Sequence, residues 1–177
     1  LSHDSLKHLT EMDPLTLESL LTRYGQEVWN YAFFITKNRV MSDDITQDVF
    51  IQVYRHVTSF RGEASVKTWL MKITRNISYN YRNSAFFKKV FLINIVSGEH
   101  NHSAEQSFIE KEATNAVWEQ VFNLPTKYRE VLVLHAKYQL SIKEIADILK
   151  IPQGTVKSRL FTARKKMSVL LKKEEFR

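Results

Sequence analysis

Cysteine is missing from all 177 residues, which excludes disulfides, zinc–thiolate sites and thiol catalysis. Glycine and proline are nearly missing too, with four and three residues thinly spread. So few breakers between periodic apolar runs predict a mostly helical chain. No apolar run is long enough to span a membrane and no secretory signal is present, so a soluble, cytoplasmic protein without membrane insertion is expected. A Walker motif, a nucleophile elbow and an acid–base carboxylate pair are all lacking. His3, His8, His56 and His135 are scattered, and Glu99, His100 and His102 fall short of a metal-ligand set. The residues make no case for an enzyme, a metal or a cofactor.

What the chain has in surplus is positive charge, +7 overall, and its placement says more than its sum. From Ser141 to Arg177 ten Lys/Arg face four Asp/Glu, and from Arg61 to Phe91 seven Lys/Arg face only Glu63. The stretches 1–60 and 92–140 are net acidic. Two basic islands between acidic segments predict two contacts with a polyanion.

The second island is the most legible. Ser141 and Glu144 have the spacing of a capping box, opening a helix to about Leu149 with Ile142, Ile145, Ala146 and Leu149 at helical spacing. Ile151, Pro152, Gln153 and Gly154 break it, Pro as a missing donor and Gly as the residue tolerant of unusual dihedrals. Thr155 is the expected N-cap of a second helix, with Val156, Leu160, Ala163, Met167 and Leu170 as its apolar stripe. Off that stripe lie Lys157, Ser158, Arg159, Phe161, Thr162, Arg164, Lys165 and Lys166. Cations bind phosphates, and Ser, Thr and Lys near a helix start reach base edges in a major groove. The pair reads as a helix-turn-helix with its recognition helix second. An amphipathic hairpin with a merely solvated basic face is the plainer alternative.

Earlier elements follow from caps and spacing. Residues 1–12 read as a polar tail. Asp13-Pro14 starts a helix with Leu17, Leu20, Leu21 and Tyr24 inward. A second helix is expected after Gly25, burying Val28, Tyr31, Ala32 and Ile35 and ending near Asn38. From about Met41 to Val57 a helix turns Ile45, Val49, Val53 and Val57 one way, with Asp43, Asp44, Gln47 and Asp48 in its first turns, where acids favour the helix dipole. After the loop Phe60 to Ala64, Ser65 caps a helix to about Asn83 with the stripe Val66, Leu70, Ile73, Ile77 and Tyr81. Lys67, Lys72, Arg75 and Arg82 occupy its other faces, interleaved with Thr68, Asn76, Tyr79 and Asn80. Cations among aromatic and amide groups suit a strand whose bases are unstacked. Periodicity fades over 84–111. Helices resume at Glu112 to Phe122, burying Ala113, Ala116, Val117 and Val121, and at Thr126 to Tyr138, with Tyr128, Val131, Leu132 and His135 near the core. The fold class is therefore all-α: two small helical domains, 13–83 and 112–177, joined by a linker.

The phrase G-T-V-K-S-R-L-x-x-A-R (Gly154 to Arg164), preceded by LPTKYREVLVLHAKYQLSIKEIADIL, resembles region 4 of bacterial RNA polymerase sigma factors of the extracytoplasmic-function (ECF, sigma-70 family group IV) type. DDITQDVFIQVYRHVTSF resembles the part of region 2 that docks on the clamp helices of the polymerase β′ subunit, and Gln47, Asp48 and Phe50 match its Q-(D/E)-x-F phrase. FRGEASVKTWLMKITRNISYNYRNS resembles the part that melts and reads the −10 element, sharing W-L-x-x-I-x-R-N. Asn80 stands where the family often has Asp, and Asn83 where it often has a basic residue; both bear on −10 base preference.

The resemblance covers nearly the whole chain. It implies −35 recognition by Thr155, Lys157, Ser158, Arg159, Phe161, Thr162 and Lys165. It implies −10 capture by Phe60, Arg61, Lys67, Lys72, Arg75, Asn76, Tyr79, Asn80 and Arg82, while Trp69 is expected in the core. Docking falls to Asp44, Gln47, Asp48, Phe50, Ile51 and Tyr54, with Phe50 and Tyr54 as exposed anchors. The implied partners are core RNA polymerase, through its β′ clamp helices and β flap, promoter DNA, and an anti-sigma factor. Two other readings remain: a helix-turn-helix regulator that binds duplex DNA without polymerase, and an adaptor that binds no DNA.

Overall fold

Seven helices account for most of the described residues, and four of them open on a side-chain cap. The computed structural model describes residues 12–84 and 115–175. Residues 1–11 of the expected tail, nearly all of the linker with Glu99, His100 and His102, Ala113, and the side chain of Ala116 lie outside what is described. The helices are α1 (Pro14–Thr36), α2 (Arg39–Arg55), α3 (Val66–Asn83), α4 (Asn115–Asn123), α5 (Thr126–Ala136), α6 (Ile142–Leu149) and α7 (Gln153–Glu175). No strand occurs among the described residues. The chain divides into two units, one built from α1–α3 and one from α4–α7.

In the first unit each helix packs on the other two. Asp13 caps α1, its Oδ1 accepting from the Thr16 amide at 2.9 Å, with Pro14 in the first turn. The break expected at Gly25 does not occur: α1 runs straight through it for 23 residues. A glycine inside a helix costs about 1 kcal/mol against alanine. Burial of Leu20 before it and of Val28 and Tyr31 through Ile35 after it outweighs that cost. Asn30 to Ile35 is a run of six consecutive buried residues, so this end of α1 is enclosed all round. Leu21, expected inward, is 41 % exposed, whereas Met12, assigned to the polar tail, is buried.

Asn38 caps α2, accepting from the Met41 amide at 2.9 Å, so the helix begins two residues before its expected start. Ser65 caps α3 as expected, at 3.0 Å from the Thr68 amide. Ser42, Thr74 and Ser78 are wholly buried, and each hydroxyl donates one turn back, to the carbonyls of Asn38, Leu70 and Thr74 at 2.7, 2.8 and 2.7 Å. Small polar residues thus enter the core with their donors satisfied inside their own helix.

In the second unit α7 packs on α4, α5 and α6. Arg129 of α5 is buried and ties the end of α4 to the start of α5. Its Nη1 donates to the Phe122 and Leu124 carbonyls at 2.8 and 3.4 Å, and its Nη2 to Thr126 Oγ1 at 3.3 Å. A cation satisfying the last carbonyls of a helix complements its dipole. Val121 is buried as expected, but Val117 is 46 % exposed, because it lines an open groove rather than the core.

Candidate functional site

The helix-turn-helix of the second unit is assembled by two local devices. Ser141 and Glu144 make the full capping box, with Ser141 Oγ accepting from the Glu144 amide at 3.3 Å and Glu144 Oε2 from the Ser141 amide at 2.9 Å. Lys150 then takes a left-handed conformation, φ 53°, which turns the chain out of α6. The expectations for Gly154 and Thr155 are corrected here. Gly154 lies inside the first turn of α7 without a positive φ, and Thr155 is not the N-cap. Pro152 precedes the helix instead, its carbonyl accepting from the Thr155 and Val156 amides at 2.9 and 3.1 Å. Proline's fixed φ suits a helix entry and its missing donor costs nothing there.

With α7 so placed, Val156, Leu160, Ala163 and Met167 are buried and the opposite face is presented to solvent. Lys157, Phe161 and Lys165 follow one another at four-residue spacing on an exposed line, beside Ser158. Phe161 is 72 % exposed, an unusual position for a phenylalanine in a packed unit. Arg159, Thr155 and Thr162 are half-buried at the edge of this face. Ser158 donates to the Thr155 carbonyl and Thr162 to the Ser158 carbonyl, each at 3.0 Å, so both hydroxyls offer lone pairs outward. Toward the C-terminal half of α7, Val117, Trp118, Leu132, Met167 and Leu171 line an apolar groove of about 680 Å³, with the Lys137 ammonium 5.0 Å from the Trp118 ring centroid.

The first unit presents two faces. On α3, Arg75 and Arg82 both lie over the ring of Tyr79, at 4.5 and 5.5 Å from its centroid. Asn76 and Asn80 are exposed beside them and Lys72 is half-buried. Lys67 is engaged from within, 3.0 Å from Glu27 of α1. Before α3 the loop turns at Gly62, φ 71°, the left-handed region glycine enters at no steric cost. This leaves Arg61 exposed. Phe60 is not an accessible platform: it is 4 % exposed and packs against half-buried Trp69, centroids 5.1 Å apart. Phe60 anchors the loop from inside.

On α2, Asp44, Gln47, Ile51 and Tyr54 are exposed, the last two at 41 and 49 %. Phe50, expected as an exposed anchor, is 3 % exposed and belongs to the core with Ile45, Val49 and Val53. Two carboxylates on this helix have partners that spacing does not suggest. Asp43 accepts from Trp29 Nε1 at 2.6 Å, and Asp48 accepts from the Tyr81 hydroxyl of α3 at 2.6 Å. The second bond, with burial and the charges of Asp48 and Asp44, pushes the Tyr81 phenol up to about 12. Among the described residues no cluster of His, Asp and Glu is arranged to hold a metal ion, and no helix is long and apolar enough to cross a membrane.

Comparison with known proteins matches both units. Residues 20–85 fit the family model described as Sigma-70 region 2, and residues 115–167 that described as Sigma-70, region 4. The ECF RNA polymerase sigma-E factor of Escherichia coli (strain K12) is 33 % identical over 164 residues, covering 86 % of this chain and 84 % of its own. The RNA polymerase sigma factor SigZ of Bacillus subtilis (strain 168) is 31 % identical over 157 residues, 89 % of this chain and 88 % of its own. Among solved structures, the sigma factor RpoE in complex with the anti-sigma factor NepR from Bartonella quintana has the same fold. Its TM-score is 0.67 at 20 % identity, over 88 % of this chain and 96 % of that one. CnrH in complex with the cytosolic domain of CnrY gives a TM-score of 0.65 at 22 % identity, over 96 and 94 %. Two matched regions in order, and relatives aligned along most of their length, lead to one conclusion: the chain belongs to the ECF sigma factors of RNA polymerase.

Proposed function

We propose that this chain binds core RNA polymerase and directs it to promoters, reading duplex DNA at −35 with α7 and the opened strand at −10 with α3. The observation that carries this reading is the division of outward faces by charge. The exposed face of α2 bears Asp44 among Gln47, Ile51 and Tyr54, while the exposed line of α7 bears Lys157 and Lys165 around Phe161. An acidic, partly apolar face suits a protein partner and repels DNA; a cationic line along a helix suits the phosphate backbone.

In this reading Lys157, Ser158, Phe161 and Thr162 meet base edges at −35, and Arg159 and Lys165 meet phosphates. Phe161 offers an apolar contact for a thymine methyl. On α3, Arg75, Asn76, Tyr79, Asn80 and Arg82, with Lys72 and Arg61, receive the opened −10 strand. Capturing extruded bases offsets an unstacking cost of a few kcal/mol and so favours the open duplex. The chain does no chemistry of its own; the polymerase does. Asp44, Gln47, Asp48, Ile51 and Tyr54 face the β′ clamp helices, and the apolar groove of the second unit is the surface offered to the β flap or to an anti-sigma factor.

Run-off transcription with purified core polymerase tests the reading. A start-specific transcript that needs both this chain and core is the expected result. Protection of duplex DNA by the chain alone, with no transcript when core is added, would favour the regulator that acts without polymerase.

A further inference from the structure

Asp48 falls on the face assigned above to docking and Tyr81 on the helix assigned to the opened strand, yet the two are joined by a hydrogen bond of 2.6 Å between residues 33 apart in sequence. A phenol donating to a carboxylate at that distance is a charge-assisted bond, about twice as strong as a neutral one. Both side chains are half-buried, so water competes less for the bond than at an open surface. Its position matters as much as its strength. Tyr81 lies in the last turn of α3, which ends at Asn83, and last turns fray unless something holds them. Asn80 and Arg82 flank Tyr81 in that turn, and Arg82 lies over the ring of Tyr79.

Resting on the function proposed above, we propose that Tyr81 is a positioning residue that links polymerase docking to capture of the −10 strand. Its hydroxyl holds the Asp48 carboxylate in one orientation for the polymerase, and Asp48 in return pins the turn that carries Tyr79, Asn80 and Arg82. A carboxylate has about four lone-pair sites, so Asp48 accepts from Tyr81 and from a polymerase donor together. Docking also excludes water from around the bond, and in the lower local dielectric a hydrogen bond to a carboxylate is stronger. Binding of core therefore tightens the hold on the strand-reading turn, and by reciprocity strand capture tightens docking.

The test uses the full chain with core polymerase and two affinities: labelled chain for core, and a single-stranded −10 oligonucleotide for holoenzyme at saturating core. Tyr81→Phe keeps the ring and removes the proton. It is expected to weaken both affinities about tenfold, the scale of one lost hydrogen bond to a charged group. Asp48→Ala should weaken core binding similarly, and the double variant should be no worse than about twofold beyond the poorer single. Para-aminophenylalanine at position 81 returns a donor and should restore both affinities, which a role in packing alone does not explain. Wild-type affinities for Tyr81→Phe, or losses that multiply in the double variant, would overturn the link while leaving the docking reading intact. Wild-type core affinity for Asp48→Ala would remove Asp48 from the docking face and the link with it.

Discussion

Phe50 and Tyr54 sit one turn apart on α2, and truncating each should have opposite consequences. Phe50 is 3 % exposed, so Phe50→Ala removes a full aromatic side chain from the core of the first unit. Such a change costs about 3–5 kcal/mol, a large part of the roughly 5–15 kcal/mol that holds a domain folded. For a unit of this size each kcal/mol moves the melting temperature by about 4–8 °C, so a fall of about 12 °C or more is expected. Tyr54 is 49 % exposed and Ile51 41 %, and replacing either should change stability by no more than about 0.5 kcal/mol. Their alanine variants should instead weaken core binding, by about 5- to 30-fold if each is an interface anchor worth 1–2 kcal/mol. Circular dichroism melts and hydrogen exchange over α1–α3 report the first quantity, and anisotropy of labelled chain with core polymerase the second. Below its melting range Phe50→Ala should still bind core within about threefold of wild type. An unchanged melt with lost core binding would refute the assignment of Phe50 to the core. A Tyr54→Ala melt lowered as far as that of Phe50→Ala would refute the assignment of Tyr54 to the surface.

Arg129→Ala should destabilise the second unit by about 1–3 kcal/mol by stranding buried carbonyls, seen as faster exchange in α4 and α5 with α1–α3 unaffected; a change under about 0.5 kcal/mol would disprove the role. Phe161→Ala should cost about 1–3 kcal/mol at one base of the −35 element only, whereas Lys165→Ala should weaken all sequences alike and lower the salt slope by about one. A panel of single-base duplex variants bound by holoenzyme separates them, and a uniform loss for Phe161→Ala would argue against base contact. Tyr81, raised to about 12 from an ordinary 10.0, stabilises the fold fully below pH 10, and that contribution is lost as pH rises through 12. Phenolate absorbance should show one tyrosine titrating late, and the late component should vanish in Asp48→Ala.

What is legible in the sequence is what is local. The caps at Asp13, Ser65 and Ser141 are decided within three or four residues, and each forms as expected. The stripe of α7 is likewise a matter of period, and Val156, Leu160, Ala163 and Met167 are buried as the period demands. Gly25 misleads because a local cost of about 1 kcal/mol is visible in the sequence and the packing that opposes it is not. Phe50 carries a usable signal in its period, since it stands three residues before Val53 on the buried side, and that signal outranks its place in a docking phrase. The bonds Tyr81–Asp48, Trp29–Asp43 and Arg129–Phe122 have no sequence signal, because each depends on how separate segments meet in space.

Lys150 carries two demands that pull apart. Its φ of 53° lies where a side chain crowds the following carbonyl, at a cost of about 1–2 kcal/mol that glycine escapes. Its charge lies in the turn that leads into the helix proposed to read DNA, where a cation adds to attraction for phosphate. A glycine at this joint would relax the backbone and discharge the turn together. The residue found there marks a compromise between durability and grip, and variants selected for thermal endurance alone should drift toward glycine at the expense of promoter affinity.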